Sequence, residues 1–395
     1  MHSSIGHRAR KSVSLTLVTL MVGLLAFASR TNASEVKAAY YGTTSEGNRV
    51  TAYTLTNKGG ASVTILDFGG TIIDLRVPDR DGRLGNVVMS FSDLAAWEAV
   101  GNANAIVGRY ANRIRGGFDL DGTHYPLQQN PAGITLHGGP PPYSTRNWTV
   151  ASIRPEDGAS MTLSLISPDG DQGFPGTLHI LATYSWSDDN ALRLDLHATT
   201  DKPTVINLTN HIYLNLNGNS TTSVSGHRLQ LSSDQISYRS ALNVPTGTLI
   251  PVEGTLLDLR NARLLAELGE SGSDPRFTQA ADPTVGGRQL RTFDYAYVLK
   301  ERHGGFEQPV ARLEDDVSGR VLELMTTEPT TQIFITDNAR PGLLSDVGRP
   351  LAPMPAIAIE TQHLPDSPNQ PDFPSTVLRP GDIYRSTTVW SFKTQ

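Results

Sequence analysis

A row of side chains able to donate, accept or transfer protons occurs in residues 207–216, which read NLTNHIYLNL. The alternation predicts a β-strand, in which successive residues point to opposite faces. One face would carry Thr209, His211, Tyr213 and Asn215. Such polar groups are costly to bury without partners, so the row suits a cleft that binds a molecule rich in hydroxyls. A strand whose solvated face happens to include a histidine is the alternative that this stretch alone leaves open.

A second proton-transferring group, Glu360, follows the apolar run formed by residues 356–359. A carboxylate at the end of an apolar strand should have a raised pKa, because burial disfavours the charged form. That shift suits a general base working near neutral pH. Residues 365–374 are rich in proline and are predicted to be coil, since proline cannot donate ladder hydrogen bonds.

Polar side chains next to glycines mark two further candidate binding positions. Residues 108–118 hold three arginines within seven residues, between glycines. Arg113 offers a planar fork of donors and Asn112 both a donor and an acceptor, which suits paired hydroxyl groups; bonding of loop carbonyls by Arg113 is the alternative. His137 precedes the glycine pair 138–139, which would let a ligand come close, although a histidine that caps a strand end fits equally well.

The elements that must position these residues are predicted to be strands. The chain has 36 glycines and 25 prolines in 395 residues, and short alternating segments run throughout, which is typical of an all-β protein with many turns. We predict one large antiparallel β-sandwich. Two domains are the alternative that the length allows, although no linker, charge run or repeat divides the chain.

Local patterns predict a few departures from plain strands. Residues 93–100 should form a short helix, with Asp93 as its N-cap and Leu94 and Trp97 on one face. Residues 260–268 are predicted to form a second short helix. Residues 68–75 are predicted to continue the strand that begins at residues 62–66.

The first 33 residues have the pattern of a secretory signal peptide. A basic start precedes the apolar run 13–28, and small residues stand before position 33. The run is short for a membrane-spanning helix, although an uncleaved anchor is the alternative. We expect cleavage after Ala33, export of residues 34–395 to the periplasm or the medium, and no membrane association after removal of the signal.

Charge and cysteine content restrict the partners. The net charge of the whole chain is -6, and residues 1–33 contain four basic and no acidic side chains, so the mature chain would carry -10. An acidic chain without a basic patch is not expected to bind nucleic acid. The chain has no cysteine, which excludes disulfides and thiolate metal sites.

Several short motifs, taken together and in order, resemble those of the aldose 1-epimerase (galactose mutarotase) family. Each motif alone is weak, but their order and spacing match over essentially the whole mature chain, and the resemblance implies a large antiparallel β-sandwich, the galactose mutarotase-like supersandwich. The motifs are ANRI at 111–114, LHGG at 136–139, TNH at 209–211, FD at 293–294, ETQ at 360–362, NQP at 369–371 and LRPG at 378–381.

The resemblance implies a catalytic role for two residues and a binding role for a third. Glu360 would be the general base and His211 the general acid, while His137 would help to bind and polarise the ring oxygen of a sugar. The implied activity is that of an isomerase, namely an aldose 1-epimerase that interconverts the α and β anomers of free aldohexoses such as glucose and galactose. No metal and no cofactor are implied, and the protein would be a monomer or a dimer.

Further residues are implied to hold the sugar hydroxyls. These residues are Asn112, Arg113, Asp294 and Gln332. Asp258, in the segment LDLR at 257–260, could be confused with Asp294, but Asp294 matches the Phe-Asp element of the family and is preferred. The chain departs from the family after Gly139, where residues 140–144 read PPPYS, so one wall of the cleft should differ.

Anomer exchange requires the ring to open and close, with an acid and a base on opposite sides of the anomeric centre. A non-catalytic carbohydrate-binding β-sandwich would not need both Glu360 and His211. A relative that acts on sugar phosphates would need an additional cationic cluster at the cleft mouth, which the sequence does not reveal. A glycosidase would use two carboxylates, for which Glu360 and Asp294 are the candidates, but the histidines would then have no role.

Overall fold

The computed structural model describes residues 1–2, 34–155, 158–240, 242–268, 292–300, 306, 308–336 and 342–395. The described residues from 34 onward belong to one compact unit. Residues 3–33 of the predicted signal peptide lie outside the described residues, so its cleavage stays a prediction. Within the described ranges, no helix has the length and apolar character needed to cross a bilayer.

Most of the described residues lie in or between antiparallel strands. The strands are β1 (Glu35–Thr43), β2 (Arg49–Thr56), β3 (Ser62–Leu66), β4 (Ile72–Pro78), β5 (Leu84–Asn86), β6 (Ile106–Val107), β7 (Arg113–Arg115), β8 (Phe118–Leu120), β9 (Thr123–Tyr125), β10 (Ile134–Leu136), β11 (Thr149–Arg154), β12 (Ala159–Ser167), β13 (Leu178–Trp186), β14 (Ala191–Thr200), β15 (Thr204–Val205), β16 (Thr209–Asn210), β17 (Tyr213–Leu214), β18 (Arg228–Leu231), β19 (Ser233–Arg239), β20 (Pro245–Pro251), β21 (Arg263–Leu264), β22 (Thr292–Leu299), β23 (Ala311–Glu314), β24 (Arg320–Thr326), β25 (Thr330–Thr336), β26 (Ile357–Gln362), β27 (Val377–Leu378) and β28 (Tyr384–Thr394). The α-helices are α1 (Leu94–Val100) and α2 (Leu265–Leu268), and short 3-10 turns occupy Tyr143–Thr145, Asp171–Gly173, Val224–Gly226 and Ser367–Asn369.

Two large sheets and a smaller one enclose the core. The nine-stranded sheet has the order β11-β12-β13-β14-β28-β24-β23-β18-β21, and the six-stranded sheet has the order β17-β26-β25-β22-β19-β20. The strands β1 to β5 form the third sheet in sequence order. Leu194 and Trp390 of the nine-stranded sheet belong to the same buried cluster as Ile333 and Ile359 of the six-stranded sheet. This packing confirms the predicted all-β antiparallel sandwich.

The region of residues 62–75 is not a single strand, and this prediction is wrong. Gly69 and Gly70, with φ of 68° and 60°, turn the chain between β3 and β4. A Cβ atom on Gly69 would lie 2.2 Å from the backbone oxygen of Ser144. Only glycine fits this left-handed and crowded position.

The residues 207–216 are also not one strand with a single polar face. They contribute only β16, which pairs with β6, and β17, which pairs with β26. Thr209 Oγ1 donates to the carbonyl of Thr361 at 2.8 Å, and Asn215 Nδ2 donates to the carbonyl of Pro355 at 2.7 Å. Part of the polar row therefore bonds neighbouring segments of the chain instead of lining a cleft.

The two helix predictions have different outcomes. The helix α1 forms as expected. Asp93 Oδ1 accepts a hydrogen bond from the amide of Ala96 at 2.9 Å, and Leu94 and Trp97 are buried. The predicted helix over residues 260–268 is wrong at its start. Its residues 263–264 pair with β18 as β21, and only α2 is helical, because the strand pairing outweighs the local helical pattern.

Candidate active site

The six-stranded sheet presents three of the predicted site residues on one face. Glu360 of β26 lies opposite Gln332 of β25, and Gln332 lies opposite Ala296 of β22. Asp294 lies two residues before Ala296 and so points to the same side. Glu360 is the fourth residue of its six-residue strand, not the last as predicted, and it is surrounded by protein on all sides.

The backbone around His211 is held by Asn104, which the sequence reasoning missed. The amide of Asn104 donates to the carbonyl of His211 at 2.9 Å, and the amide of His211 donates to the carbonyl of Ala105 at 3.0 Å. Asn104 Oδ1 accepts the amide of Tyr213 at 2.8 Å. The ring of Tyr213 stacks on that of His211, with centroids 4.8 Å apart and an interplanar angle of 15°, so both the position and the plane of the imidazole are fixed.

His211 and Glu360 are in direct contact. Nε2 of His211 lies 3.3 Å from Oε1 of Glu360, and the two side chains are only 9% and 2% exposed. Burial lowers the pKa of His211 to about 4, although the negative charge of Asp294 opposes this shift. Burial raises the pKa of Glu360 well above its ordinary value; Asp294 adds to that shift and Arg113 opposes it.

Asn112 and His137 hold each other in unusual backbone conformations. Their φ angles are 62° and 52°, in the left-handed region that non-glycine residues rarely adopt. The amide of His137 donates to the carbonyl of Asn112 at 2.8 Å, and the amide of Asn112 donates to Nδ1 of His137 at 3.2 Å. Burial lowers the pKa of His137 well below its ordinary value. The ring is therefore neutral, with its proton on Nε2, and can donate to an oxygen.

The charged pair Arg113 and Asp294 connects the strand β7 to the six-stranded sheet. Arg113 Nη1 lies 3.5 Å from Asp294 Oδ2 and donates to Asn112 Oδ1 at 3.0 Å. Gln332 Nε2 donates to Asp294 Oδ1. These groups line a small cleft. The cleft offers donors and acceptors side by side, as a polyhydroxylated ligand requires.

The seven residues predicted from the sequence thus form a closed ring of neighbours. Adjacent members are joined by a side-chain contact, a hydrogen bond or a cross-strand position. Around the ring they are His211, Glu360, Gln332, Asp294, Arg113, Asn112 and His137, and the rings of His137 and His211 close it with centroids 5.5 Å apart. Their individual roles remain predictions.

Three side-chain atoms in this ring are buried without a hydrogen-bond partner among the described residues. They are Nδ1 of His211, Oε2 of Glu360 and Oε1 of Gln332. Buried polar atoms are nearly always paired in native proteins, so the two oxygens are suited to accept hydrogen bonds from the hydroxyl groups of a ligand. Within the described part of the chain, no three His, Asp or Glu side chains are grouped as metal ligands would be.

Asp258, the competitor of Asp294, has a different role. Its two carboxylate oxygens accept hydrogen bonds from Nε and Nη2 of Arg260, at 2.9 and 2.6 Å. Asp258 therefore forms a bidentate ion pair with a near neighbour, and it does not line the cleft that contains Asp294. The geometry supports the choice of Asp294.

Segments on either side of the site are tied to it by side chains that sequence reasoning did not assign. The amide of Asp366 donates to the carbonyl of Arg113 at 2.7 Å, while Asp366 Oδ1 accepts the amide of Arg115 at 3.0 Å. The segment that follows Glu360 is thereby fixed to β7. The proline segment at 140–142 is held by Gln172, whose Nε2 donates to the carbonyls of Gly139 and Pro141.

Comparison with known proteins agrees with the fold and the site. The sequence profile of a family described as aldose 1-epimerase matches residues 51–391. The chain is 32% identical over 356 residues to an aldose 1-epimerase of Escherichia coli (strain K12), covering 88% of this chain and 96% of that protein. It is 35% identical over 336 residues to a galactose mutarotase of Homo sapiens, covering 84% and 90%.

A solved structure has the same fold over nearly its whole length. The crystal structure of a GalM/aldose epimerase homologue from C. elegans superimposes with a TM-score of 0.75 at 29% identity, covering 91% of this chain and 99% of that one. With the profile match over residues 51–391 and the two relatives above 30% identity, this chain belongs to the aldose 1-epimerase family.

Proposed function

We propose that the protein catalyses the mutarotation of free aldohexoses by general acid-base chemistry at His211 and Glu360. The observation that carries this proposal is the 3.3 Å separation of His211 Nε2 and Glu360 Oε1 in a buried site. The anomeric carbon of a pyranose bears two oxygens, the C1 hydroxyl and the ring oxygen. Two proton-transferring atoms this close together can each address one of them.

The reaction opens and recloses the ring. The carboxylate of Glu360 takes the proton of the C1 hydroxyl, the bond between C1 and the ring oxygen breaks, and the ring oxygen takes a proton from His211. The C1–C2 bond rotates, and the C5 hydroxyl attacks the other face of the aldehyde while both protons return. Each transfer by a positioned side chain is worth roughly 10²–10⁴-fold in rate.

The pair needs one proton to work, and burial favours the arrangement in which that proton is on the carboxyl. The pKa of Glu360 is raised and that of His211 is lowered, and both shifts favour the neutral carboxyl and neutral imidazole over the ion pair. Protonated Glu360 with neutral His211 is also the state reached when the ring is open. The site therefore stabilises the arrangement of the shared proton that accompanies the open-chain intermediate. The other arrangement, a carboxylate with an imidazolium, accompanies the closed sugar.

The remaining site residues would bind and orient the sugar. Asp294 and the free oxygen of Gln332 accept hydroxyl protons, while Arg113 and Asn112 donate to hydroxyl oxygens. His137 carries its proton on Nε2 and would donate to the ring oxygen region. Fixing the sugar in this way keeps both proton transfers within reach, which is a large share of the catalytic gain.

The direct test is polarimetry of freshly dissolved α-anomers on a panel of aldohexoses, with Glu360→Gln as the inactive comparison. Faster approach to the anomeric equilibrium with wild type than with Glu360→Gln supports the proposal. Equal rates for the two proteins, with tight sugar binding by both, would favour a non-catalytic carbohydrate-binding protein.

We also propose that the mature protein acts outside the cytoplasm. The support is the basic and apolar pattern of residues 1–33. Intact-mass measurement on protein recovered outside the cytoplasm should give a chain that begins at Ser34. A mass that includes Met1 would contradict cleavage.

A further inference from the structure

A second arginine, Arg239, lies against the same carboxylate as Arg113. Arg239 Nη1 is 3.6 Å from Asp294 Oδ2, and Arg113 Nη1 is 3.5 Å from that atom. Arg239 is the last residue of β19, and its guanidinium lies over the ring of Tyr295, 4.2 Å from the centroid. Its side chain is 14% exposed, so it is largely enclosed beside the cleft, and a cation over an aromatic ring is attracted to it.

The charges at this end of the cleft do not cancel. Among the described residues that line it, the charged ones are Arg113, Arg239 and Asp294, which leaves one positive charge in excess. Burial raises the pKa of the neighbouring Glu360 and lowers the pKa of His211, which favours the uncharged form of each. A neutral sugar gives this excess cation no partner, whereas a ligand with one negative charge would balance it.

An unpaired donor points to the same place. Ser237 lies two residues before Arg239 on β19, and both residues line the cleft. Ser237 Oγ is buried without a hydrogen-bond partner among the described residues, and Ser237 lines the cleft together with Arg113 and Arg239. A hydroxyl that lines the same cleft as two guanidinium groups is a suitable donor to a carboxylate oxygen.

We propose that Arg113, Arg239 and Ser237 form a subsite for the carboxylate of an acidic aldose, so that hexuronic acids are substrates. This inference rests on the proposed function, because a hexuronic acid has the same C1 hydroxyl and ring oxygen as a neutral hexose and mutarotates by the same steps. The planar fork of arginine matches a carboxylate in two parallel hydrogen bonds. A single excess positive charge fits a monoanionic carboxylate better than a dianionic phosphate.

The test compares kcat/KM for mutarotation of D-galacturonate and D-glucuronate with that of D-galactose and D-glucose. Wild type should turn over both classes. Arg239→Gln should lower kcat/KM for the hexuronates at least about tenfold more than for the neutral hexoses, mainly through KM, and Arg239→Lys should recover part of the loss. Arg193→Gln, which removes an arginine paired with Asp195 on the outer side of the nine-stranded sheet, is the matched control and should change neither.

Three results would overturn the inference. The first is that the wild-type protein turns over neutral hexoses but not hexuronates, a result that leaves the proposed function intact. Another is equal loss on both substrate classes in Arg239→Gln, which would mean that Arg239 only positions Asp294. The third is a higher kcat/KM for a hexose 6-phosphate than for the hexuronates. Failure of wild type on every aldose would instead contradict the proposed function itself.

Discussion

Nε2 of His211 lies 3.3 Å from Oε1 of Glu360, and burial moves the pKa values of these two groups in opposite directions. In solution the imidazole would be the more basic of the two groups. In the site the order is reversed, because each group avoids its charged form when water is removed. The pair therefore holds one proton over a wide pH range, and this singly protonated state is the one that catalysis requires.

The first prediction concerns the pH dependence of kcat/KM. The pair gains a second proton as pH falls through the lowered pKa of His211, about 4, and loses its only proton as pH rises through the raised pKa of Glu360. We expect a broad bell-shaped profile whose acid limb lies near the lowered value. Polarimetry, corrected for the spontaneous rate, measures it. An acid limb near the ordinary histidine value of 6.5 would indicate a solvated imidazole and argue against this arrangement.

The second prediction is that Glu360→Gln stabilises the folded protein while inactivating it. The folded-state pKa of Glu360 is raised, so the wild type loses stability as pH rises above the ordinary carboxyl value of 4.5 and through the folded-state pKa. A tenfold difference in proton affinity between the folded and unfolded states corresponds to about 1.4 kcal/mol, and glutamine avoids this cost.

Urea or thermal unfolding at about pH 8 should show the variant more stable by about 1 kcal/mol or more, with a smaller difference at about pH 4. A variant that is less stable than wild type at the higher pH would mean that the ionised carboxylate is stabilised by contacts, and the raised pKa would be wrong.

The third prediction concerns Gly138, the residue that follows His137. Its φ is 86°, and an added Cβ would lie 2.3 Å from the carbonyl oxygen of Gly108. Gly138→Ala should cost at least about 2 kcal/mol of unfolding free energy and should also lower kcat/KM, because the left-handed conformation of His137 depends on this turn. Gly226→Ala, where an added Cβ meets nothing within 4 Å, is the control and should stay within about 0.5 kcal/mol of wild type. Equal unfolding midpoints for the two variants would rule out the crowding.

The fourth prediction concerns Asp366, which joins the segment after Glu360 to the strand that carries Arg113. Removing its carboxylate in Asp366→Ala leaves the amide of Arg115 without its acceptor. We expect a loss of about 1–3 kcal/mol in stability and a raised KM, since Arg113 is displaced from the sugar.

Asp121→Ala is the matched control for this change. Asp121 also has a positive φ, 50° compared with 56° for Asp366, but its carboxylate pairs with Arg379 on the surface. An exposed pair contributes about 0–1 kcal/mol, so KM should not change. A KM increase in both variants, or in neither, would show that Asp366 does not position the site.

The sequence predicts those parts of the structure that depend on local pattern. The strand that carries Glu360 follows from its apolar run, and α1 follows from the cap and spacing of Asp93, Leu94 and Trp97. The break in residues 207–216 does not follow, because the alternation continues through it. What breaks the strand there is Asn104, a distant residue whose backbone and side chain bond the backbone of His211 and Tyr213.

The site residues themselves were found through motifs and not through geometry. No local pattern brings Asn112, Asp294 and Glu360 together, since these contacts join strands far apart in the chain; only the family resemblance anticipates them. The sequence does not single out Arg239, because this residue belongs to none of the family motifs and stands at the end of an ordinary strand. Its place beside the cleft becomes evident only from its contacts with Asp294 and Tyr295, which β22 brings next to it.

The most direct test of the central claim is a double-mutant cycle on the acid-base pair. Mutarotation rates of wild type, Glu360→Gln, His211→Asn and the double variant are measured by polarimetry on one hexose, with Glu328→Gln, a buried carboxylate paired with His363 outside the site, as control. If the two groups act as one unit, each single change lowers kcat by roughly 10²–10⁴-fold, and the double variant is little worse than either single one. Near-normal turnover in Glu360→Gln, or losses that simply multiply in the double variant, would contradict a shared proton-transfer pair.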